Sequence, residues 1–276
     1  MDDEVVSGVW QLDPDTRLDL RLQRVKSAIG DADWPRVVME AEELLDEAPE
    51  HIETLGLLAT ALLELGDAES AAEAFEDYLG RAGPDAVILS GLALARFESC
   101  DLMGAIEAAR EAIRRDGSLA EAHYTLAMAL ERMGDASEAA QSFALAHMMD
   151  EVAFPLPLQL TDADLQLAVS AALSALPPPI RDFWAGIPLQ VEEEPALTEL
   201  TAATPPLPPT IAGMYDGVPP NDDTVHTARP LALRLFRRNL ARCGTLDEVT
   251  QQLALVLQQE ALDWLGVPFE DPMGAS

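Results

Sequence analysis

The sequence predicts two domains of different class, an all-α array of stacked helical hairpins followed by a small α+β domain. A self-similar segment recurs every 34 residues through the first half, and the period is lost after Asp150, where EVAFPLPLQL brings two prolines. Beyond them the periodic segments run helix, helix, strand, irregular stretch, strand, helix, an order with few strands that argues α+β. The boundaries read as an N-terminal arm at 1–17, four hairpins over 18–153, a linker at 154–160 and the α+β domain at 161–276. A length of 276 residues with 49% hydrophobic content gives each domain its own core.

The hairpins occupy 18–51, 52–85, 86–119 and 120–153. The first is the most divergent: RLQRVKSAIGDADWPRVVMEAEELLDEAP turns around Gly30 to Asp33 and ends at Pro49. The other three contain ALLELGDAESAAEAF, ARFESCDLMGAIEAA and ALERMGDASEAAQSF, which align without gaps. Their loop pairs Gly66-Asp67, Cys100-Asp101 and Gly134-Asp135 stand 34 residues apart, Ala71, Ala105 and Ala139 repeat at one offset, and Phe75, Ala109 and Phe143 follow a helical turn later. In the second unit Leu55, Leu58, Leu62 and Leu65 make a stripe of helical period, which Gly66-Asp67 breaks and Ala71, Ala74, Phe75 and Tyr78 resume. Such a hairpin cannot bury its apolar face alone, so neighbours must stack.

This period and pattern resemble the tetratricopeptide repeat. Where that consensus has Leu followed by Gly or Ala, the chain has Leu57-Leu58, Leu92-Ala93 and Leu126-Ala127, the first departing from it. The resemblance implies a right-handed superhelix whose concave groove holds an extended peptide or a helix of a partner protein, and it implies no chemistry. The positions aligned to the groove are Gly56, Thr60, Ser90, Leu94, Tyr124 and Met128. Some members clamp a C-terminal carboxylate there with Lys and Asn, but none of the six is basic and no Asn precedes Asn221, so no such clamp is expected. Small and apolar side chains with acidic edges favour a basic or amphipathic partner.

In the second half, a helix opens at Thr161 with Asp162 and Asp164 in its first turn, where the helix dipole favours anions, and breaks at Pro177-Pro178-Pro179. A short second helix carries Ile180, Phe183 and Trp184. IPLQVEEEP alternates as a strand, the proline-rich text from Glu199 to Ala228 is irregular, and LALRLFRR alternates as a half-buried strand. The last helix starts at Thr245 with Glu248 completing a capping box and runs to Gly266.

ALPPPIRDFWAGIPLQVEEEP, IAGMYDGVPP, RPLALRLFRRNLARCGTLDEV and the final helix follow one another as the pieces of a family of minimal zincin-like metallopeptidase domains do. The resemblance covers about 161–272, and its most specific pieces are Gly213-Met214-Tyr215-Asp216-Gly217-Val218-Pro219 and the order of strand, Arg-rich text and helix. It implies a zinc site on a helix reading H-E-x-x-H, where two imidazoles hold the ion and the Glu activates water. Residue by residue, the first His falls on Gln259, the Glu on Glu260, the second His on Asp263 and the following Gly on Gly266; Glu270 and Asp271 lie near a further acidic position at an imperfect offset.

Zinc favours imidazole or thiolate, so its loss is expected, no cofactor is expected, and Glu260, Gln259 and Asp263 read as vestigial. The expected function is a non-catalytic interaction or adaptor protein with a pseudo-metallopeptidase domain. The alternative is a metal-dependent hydrolase in which Gln259 and Asp263, one turn apart, share a hard cation beside Glu260.

Other candidates read blandly. His51, His123 and His147 belong to the repeats, His226 lies in a loop near Asp222 and Asp223, and neither Cys100 nor Cys243 has a partner at metal-ligand spacing. Glu192-Glu193-Glu194 reads as a solvated strand end, and Arg234, Arg237, Arg238 and Arg242 as a basic cluster that offsets local acids or docks against the repeats.

Lys and Arg total 17 against 49 Asp and Glu, a formal charge of −32, which repels phosphate backbones and anionic lipid; neither nucleic acid nor membrane is an expected partner. Residues 1–150 hold 32 acids and 11 bases, so the repeats are the more acidic part. MDDEVVSGVWQLDPD has acids where a secretory signal needs bases, no apolar run approaches the roughly 18–20 residues of a membrane span, and two distant cysteines suit reduced thiols, which together predict a cytoplasmic protein.

Overall fold

The computed structural model describes residues 13–203, 206–217 and 229–265. They form two compact units that divide between Asp150 and Glu151.

The first unit is an all-α tetratricopeptide-like array. Its helices are α1 (Pro14–Gly30), α2 (Trp34–Glu47), α3 (Ile52–Glu64), α4 (Ala68–Ala82), α5 (Ala86–Glu98), α6 (Leu102–Arg115), α7 (Ala120–Arg132) and α8 (Ala136–Met149). Helix α1 starts inside the segment read as an arm, because Asp13 caps it by accepting the Thr16 N–H at 3.0 Å.

One device makes all four hairpin turns. The first helix ends on a residue in the left-handed region, Ala32 (φ +52°), Gly66 (+80°), Cys100 (+66°) or Gly134 (+86°). The next residue is always Asp, and its N–H reaches back to Ala28, Leu62, Arg96 or Leu130 C=O at 2.8–2.9 Å, which closes a Schellman motif. The same Asp then caps the second helix, accepting the N–H of Arg36, Ser70, Gly104 or Glu138 at 3.0–3.3 Å. One residue therefore satisfies orphan groups of both helices, and the first turn is pinned to Ala32-Asp33.

Alanine lines the interior: Ala41, Ala59, Ala61, Ala93, Ala109, Ala112 and Ala127 are all fully buried. Small side chains let helices approach closely and leave few large groups to fix the joints between units. Phe75 is one of those, and Gly91 of the next hairpin receives it; a Cβ on Gly91 would stand 2.6 Å from the Phe75 ring.

The second unit contains α9 (Asp162–Ala175), α10 (Pro178–Trp184), β1 (Leu189–Glu192), α11 (Leu197–Ala202), β2 (Gly213–Asp216), β3 (Ala232–Phe236), α12 (Arg237–Ala241) and α13 (Leu246–Trp264). Strand β3 is central, parallel to β1 with Leu189 opposite Leu233, and antiparallel to β2 with Tyr215 opposite Leu233. Strand β2 and the last four residues of helix α11 lie within the stretch read as irregular.

Capping boxes of Thr161 with Asp164 and Thr245 with Glu248 start α9 and α13. The two helices share one core with the sheet, built on Leu165, Phe183, Trp184, Leu233, Leu235, Leu253, Leu257 and Trp264. Trp184 Nε1 donates to the Leu257 C=O at 2.8 Å and so fixes α10 on α13. The Arg cluster is used locally. Arg234 pairs with Glu199 (3.0 Å) and Glu192 (3.5 Å), Arg237 with Asp162 and Glu193, and Arg238 with Glu194 (3.3 Å). Glu192 to Glu194, at the end of β1 and still reached by solvent, are thus also the counter-charges of these arginines.

Candidate functional site

Helix α13 lies against β2, and glycine makes the approach possible. A Cβ on Gly213 would stand 2.9 Å from the Arg234 carbonyl and 3.0 Å from Val256 of α13. The next residue but one on the strand, Tyr215, sets its ring edge-on to Trp264 at 5.1 Å and 88°. The outward-facing N–H of Tyr215 donates to Glu260 Oε2 at 2.9 Å, so the helix carboxyl holds the edge strand by its backbone.

Together these elements wall a cleft of about 830 Å³. Gln259, Glu260 and Asp263 line it from α13, with Gln252 and Val256 a turn or two before them; Met214, Tyr215 and Gly217 line it from β2 and its end, and Thr210 and Ile211 from the chain before β2. Gln259 and Asp263 are exposed, and Glu260 is half-buried between them. Burial lifts the Glu260 carboxyl from its ordinary 4.5 to about 7; the Tyr215 N–H partly opposes this and the Asp263 charge adds to it. The Tyr215 phenol is pushed up by burial, then by Glu260 and Asp263.

The donors at this face do not fit zinc. They are one carboxamide, one exposed carboxylate and one carboxyl already bonded to the backbone, where zinc takes imidazole nitrogen or thiolate. Among the described residues no cluster of three or more His, Cys, Asp or Glu side chains can hold a metal ion. Gly266, Glu270, Asp271 and His226 lie outside the described residues.

Residues 184–272 match the family model of the zincin-like metallopeptidases. The match begins at Trp184, the last residue of α10, and takes in β1 to α13, so it contains the cleft where Gln259, Glu260 and Asp263 come together with the Tyr215 strand. Solved structures similar to the N-terminal array include MamA 41-end from Desulfovibrio magneticus RS-1, with 22% identity and a TM-score of 0.46 over 49% of this chain and 76% of that one. A MamA MSR-1 structure gives 19% and 0.45 over 55% and 88%, and a further MamA crystal structure 19% and 0.45 over 49% and 73%. No curated protein matches.

The six groove positions divide. Gly56 is buried, and a Cβ there would stand 3.3 Å from the Tyr78 ring and 3.5 Å from Ile88; Ser90 and Met128 are buried at 2% and 5% exposure. Thr60 is exposed, with its hydroxyl bonded to the Gly56 C=O at 3.0 Å, while Leu94 and Tyr124 are half-buried and Tyr124 packs edge-on to Phe143 at 5.2 Å. Thr60, Leu94 and Tyr124 are therefore the members a ligand can reach. Two of the repeat histidines are structural: His51 caps α3 through Nδ1, and His123 is buried with Nε2 at 3.2 Å from the Gly117 C=O. Sequence reasoning missed β2 as a strand, and with it Thr210 and Gln252 as cleft residues; a strand of four residues offers too little alternation to be read.

Proposed function

We propose that this chain is a non-catalytic interaction protein of the cytoplasm, in which the tetratricopeptide-like array holds a basic or amphipathic peptide or helix of a partner and the zincin-like domain is a pseudo-metallopeptidase. The observation that carries the reading is the bond from Tyr215 N–H to Glu260. The carboxyl that would activate water is engaged in holding the strand, and the flanking positions on its helix carry Gln259 and Asp263 in place of imidazole. The acidity of the repeats, 32 acids to 11 bases in residues 1–150, supports a basic or amphipathic ligand.

A second reading has its own support. A carboxyl that titrates at about 7 in a walled cleft suits a general base, which is what a hydrolase using a hard cation on Gln259 and Asp263 would need. Metal analysis of the purified protein, together with hydrolysis of a fluorogenic peptide mixture, separates the two. The expected result is no stoichiometric metal and no turnover. Stoichiometric metal with turnover abolished in Glu260→Gln would overturn the first reading. For the array, Thr60→Arg and Leu94→Arg are expected to abolish capture of a specific partner in a pull-down, and unchanged capture would count against the groove.

A further inference from the structure

The first hairpin presents a basic face on this acidic chain. Its residues Leu20, Arg21, Arg24 and Ser27 correspond, one repeat later, to Thr54, Leu55, Leu58 and Ala61. In the second hairpin these positions pack inward: Thr54 and Ala61 are fully buried, Leu55 is 6% exposed, and Leu58 packs on the core of the first hairpin. In the first hairpin no unit among the described residues packs on the same face, and the face is polar.

Polarity alone would not make it basic. The chain carries 49 acids and 17 bases, yet Arg17, Arg21 and Arg24 along one side of α1 and Arg36 from α2 line a single hollow of about 290 Å³. Two of the four are anchored: Arg21 pairs with Glu43 (2.9 Å) and Glu47 (2.7 Å), and Arg17 with Glu47 (3.4 Å). Arg24 and Arg36 are exposed and make no ion pair with the described residues. Leu20, 42% exposed, lies among them.

We propose that this end face docks a short acidic segment of a partner protein, its carboxylates on Arg24 and Arg36 and an apolar side chain on Leu20. Guanidinium matches carboxylate as a planar two-bond fork, and the whole cluster is Arg in a chain whose basic residues include a single Lys, Lys26. The net charge of −32 selects the length of the ligand. A long polyanion such as nucleic acid runs out over acidic surface, whereas a short segment is held within about 8 Å, the Debye length at physiological salt. This surface is separate from the proposed groove and of opposite preference.

The test uses the full chain and a fluorescein-labelled peptide, Glu-Glu-Asp-Leu-Glu-Glu-Asp-Leu, in fluorescence anisotropy. Saturable binding is expected that weakens at least tenfold between 50 and 300 mM NaCl. It should fall at least tenfold further in Arg24→Gln/Arg36→Gln, and by less in Arg24→Lys/Arg36→Lys, which keeps the charge and loses the fork. Circular-dichroism melts confirm that the exposed substitutions leave the fold intact. No saturable binding, or binding indifferent to the Gln pair, overturns the proposal. Tighter binding of a 20-base-pair DNA duplex, lost in the Gln pair, would also overturn it by assigning the face to nucleic acid.

Discussion

Glu260→Gln should stabilise the zincin-like domain at alkaline pH and do nothing for it at acid pH. The carboxyl is raised from 4.5 to about 7 mainly by burial, so the folded state holds its proton more tightly than the unfolded chain does. An acid raised in this way weakens the fold as pH rises from near 4.5 through about 7, because above that range folding must bury a charge. The full displacement corresponds to about 3 kcal/mol, at 1.36 kcal/mol for each pH unit. The carboxyl keeps some contact with water, so about 2 kcal/mol is the working expectation. Gln has the same shape, still accepts the Tyr215 N–H through its carbonyl oxygen, and cannot ionise.

The assay is urea unfolding followed by tryptophan fluorescence, with Trp184 and Trp264 both buried in this unit. At pH 8.5 the variant should outlast the parent by about 1–2 M urea, since domains of this size lose roughly 1–3 kcal/mol per molar. The gap should shrink to about half by pH 5.5 and close only below the unfolded value, near pH 4. Other titrating groups are common to both proteins and cancel in the difference. A gap independent of pH would show that Glu260 is not the displaced group. A gap of opposite sign, with the parent more stable at pH 8.5, would show that the ionised carboxylate is welcome in the cleft, as it would be beside a bound cation, and would refute the reasoning.

Two further outcomes concern the repeats. Ala32→Gly removes the strain of alanine in the left-handed region, and after the extra freedom glycine gains when unfolded it should stabilise the array by about 0.5–1 kcal/mol, a rise of about 2–4 °C in thermal midpoint. Gly91→Ala puts a methyl 2.6 Å from the buried Phe75 ring and should cost about 1–3 kcal/mol in urea unfolding. Gly80→Ala in α4, with nothing within 4 Å of the added carbon, should be neutral or stabilising and so serves as its control.

What was legible in the sequence was what local chemistry fixes. Gly66-Asp67, Cys100-Asp101 and Gly134-Asp135 announced the turns because a left-handed residue followed by a capping Asp is a self-contained joint. The first turn was located only to Gly30–Asp33, because alanine at position 32 gives no hint of positive φ. Thr161 and Thr245 gave the starts of α9 and α13 through side chains three residues away. Strand β2 was illegible because it exists by pairing with β3, which starts 16 residues after β2 ends. For the same reason the sequence placed Gln259, Glu260 and Asp263 on one helical face but not the Tyr215 N–H beside them. The groove positions met a similar limit: periodicity assigned Gly56 to a face but not the Tyr78 and Ile88 side chains that cover it.

The seat that Gly91 offers to Phe75 gives the array a direction and an order. One repeat earlier the same two positions are Ala41 and Leu57, and one repeat later Ala109 and Thr125, so each of the two large residues, Leu57 and Phe75, has a small one at the matching position and the third pair is small on both sides. The hairpins share a backbone plan and are nevertheless keyed. Excising residues 86–119 would keep the period and every turn, yet it would bring Phe75 against Thr125, and exchanging the second and third hairpins would set Ala41 beside Gly91 and Phe75 beside Thr125. A family of chains built on this plan can lengthen or shorten only by steps that carry a matched pair of side chains with them.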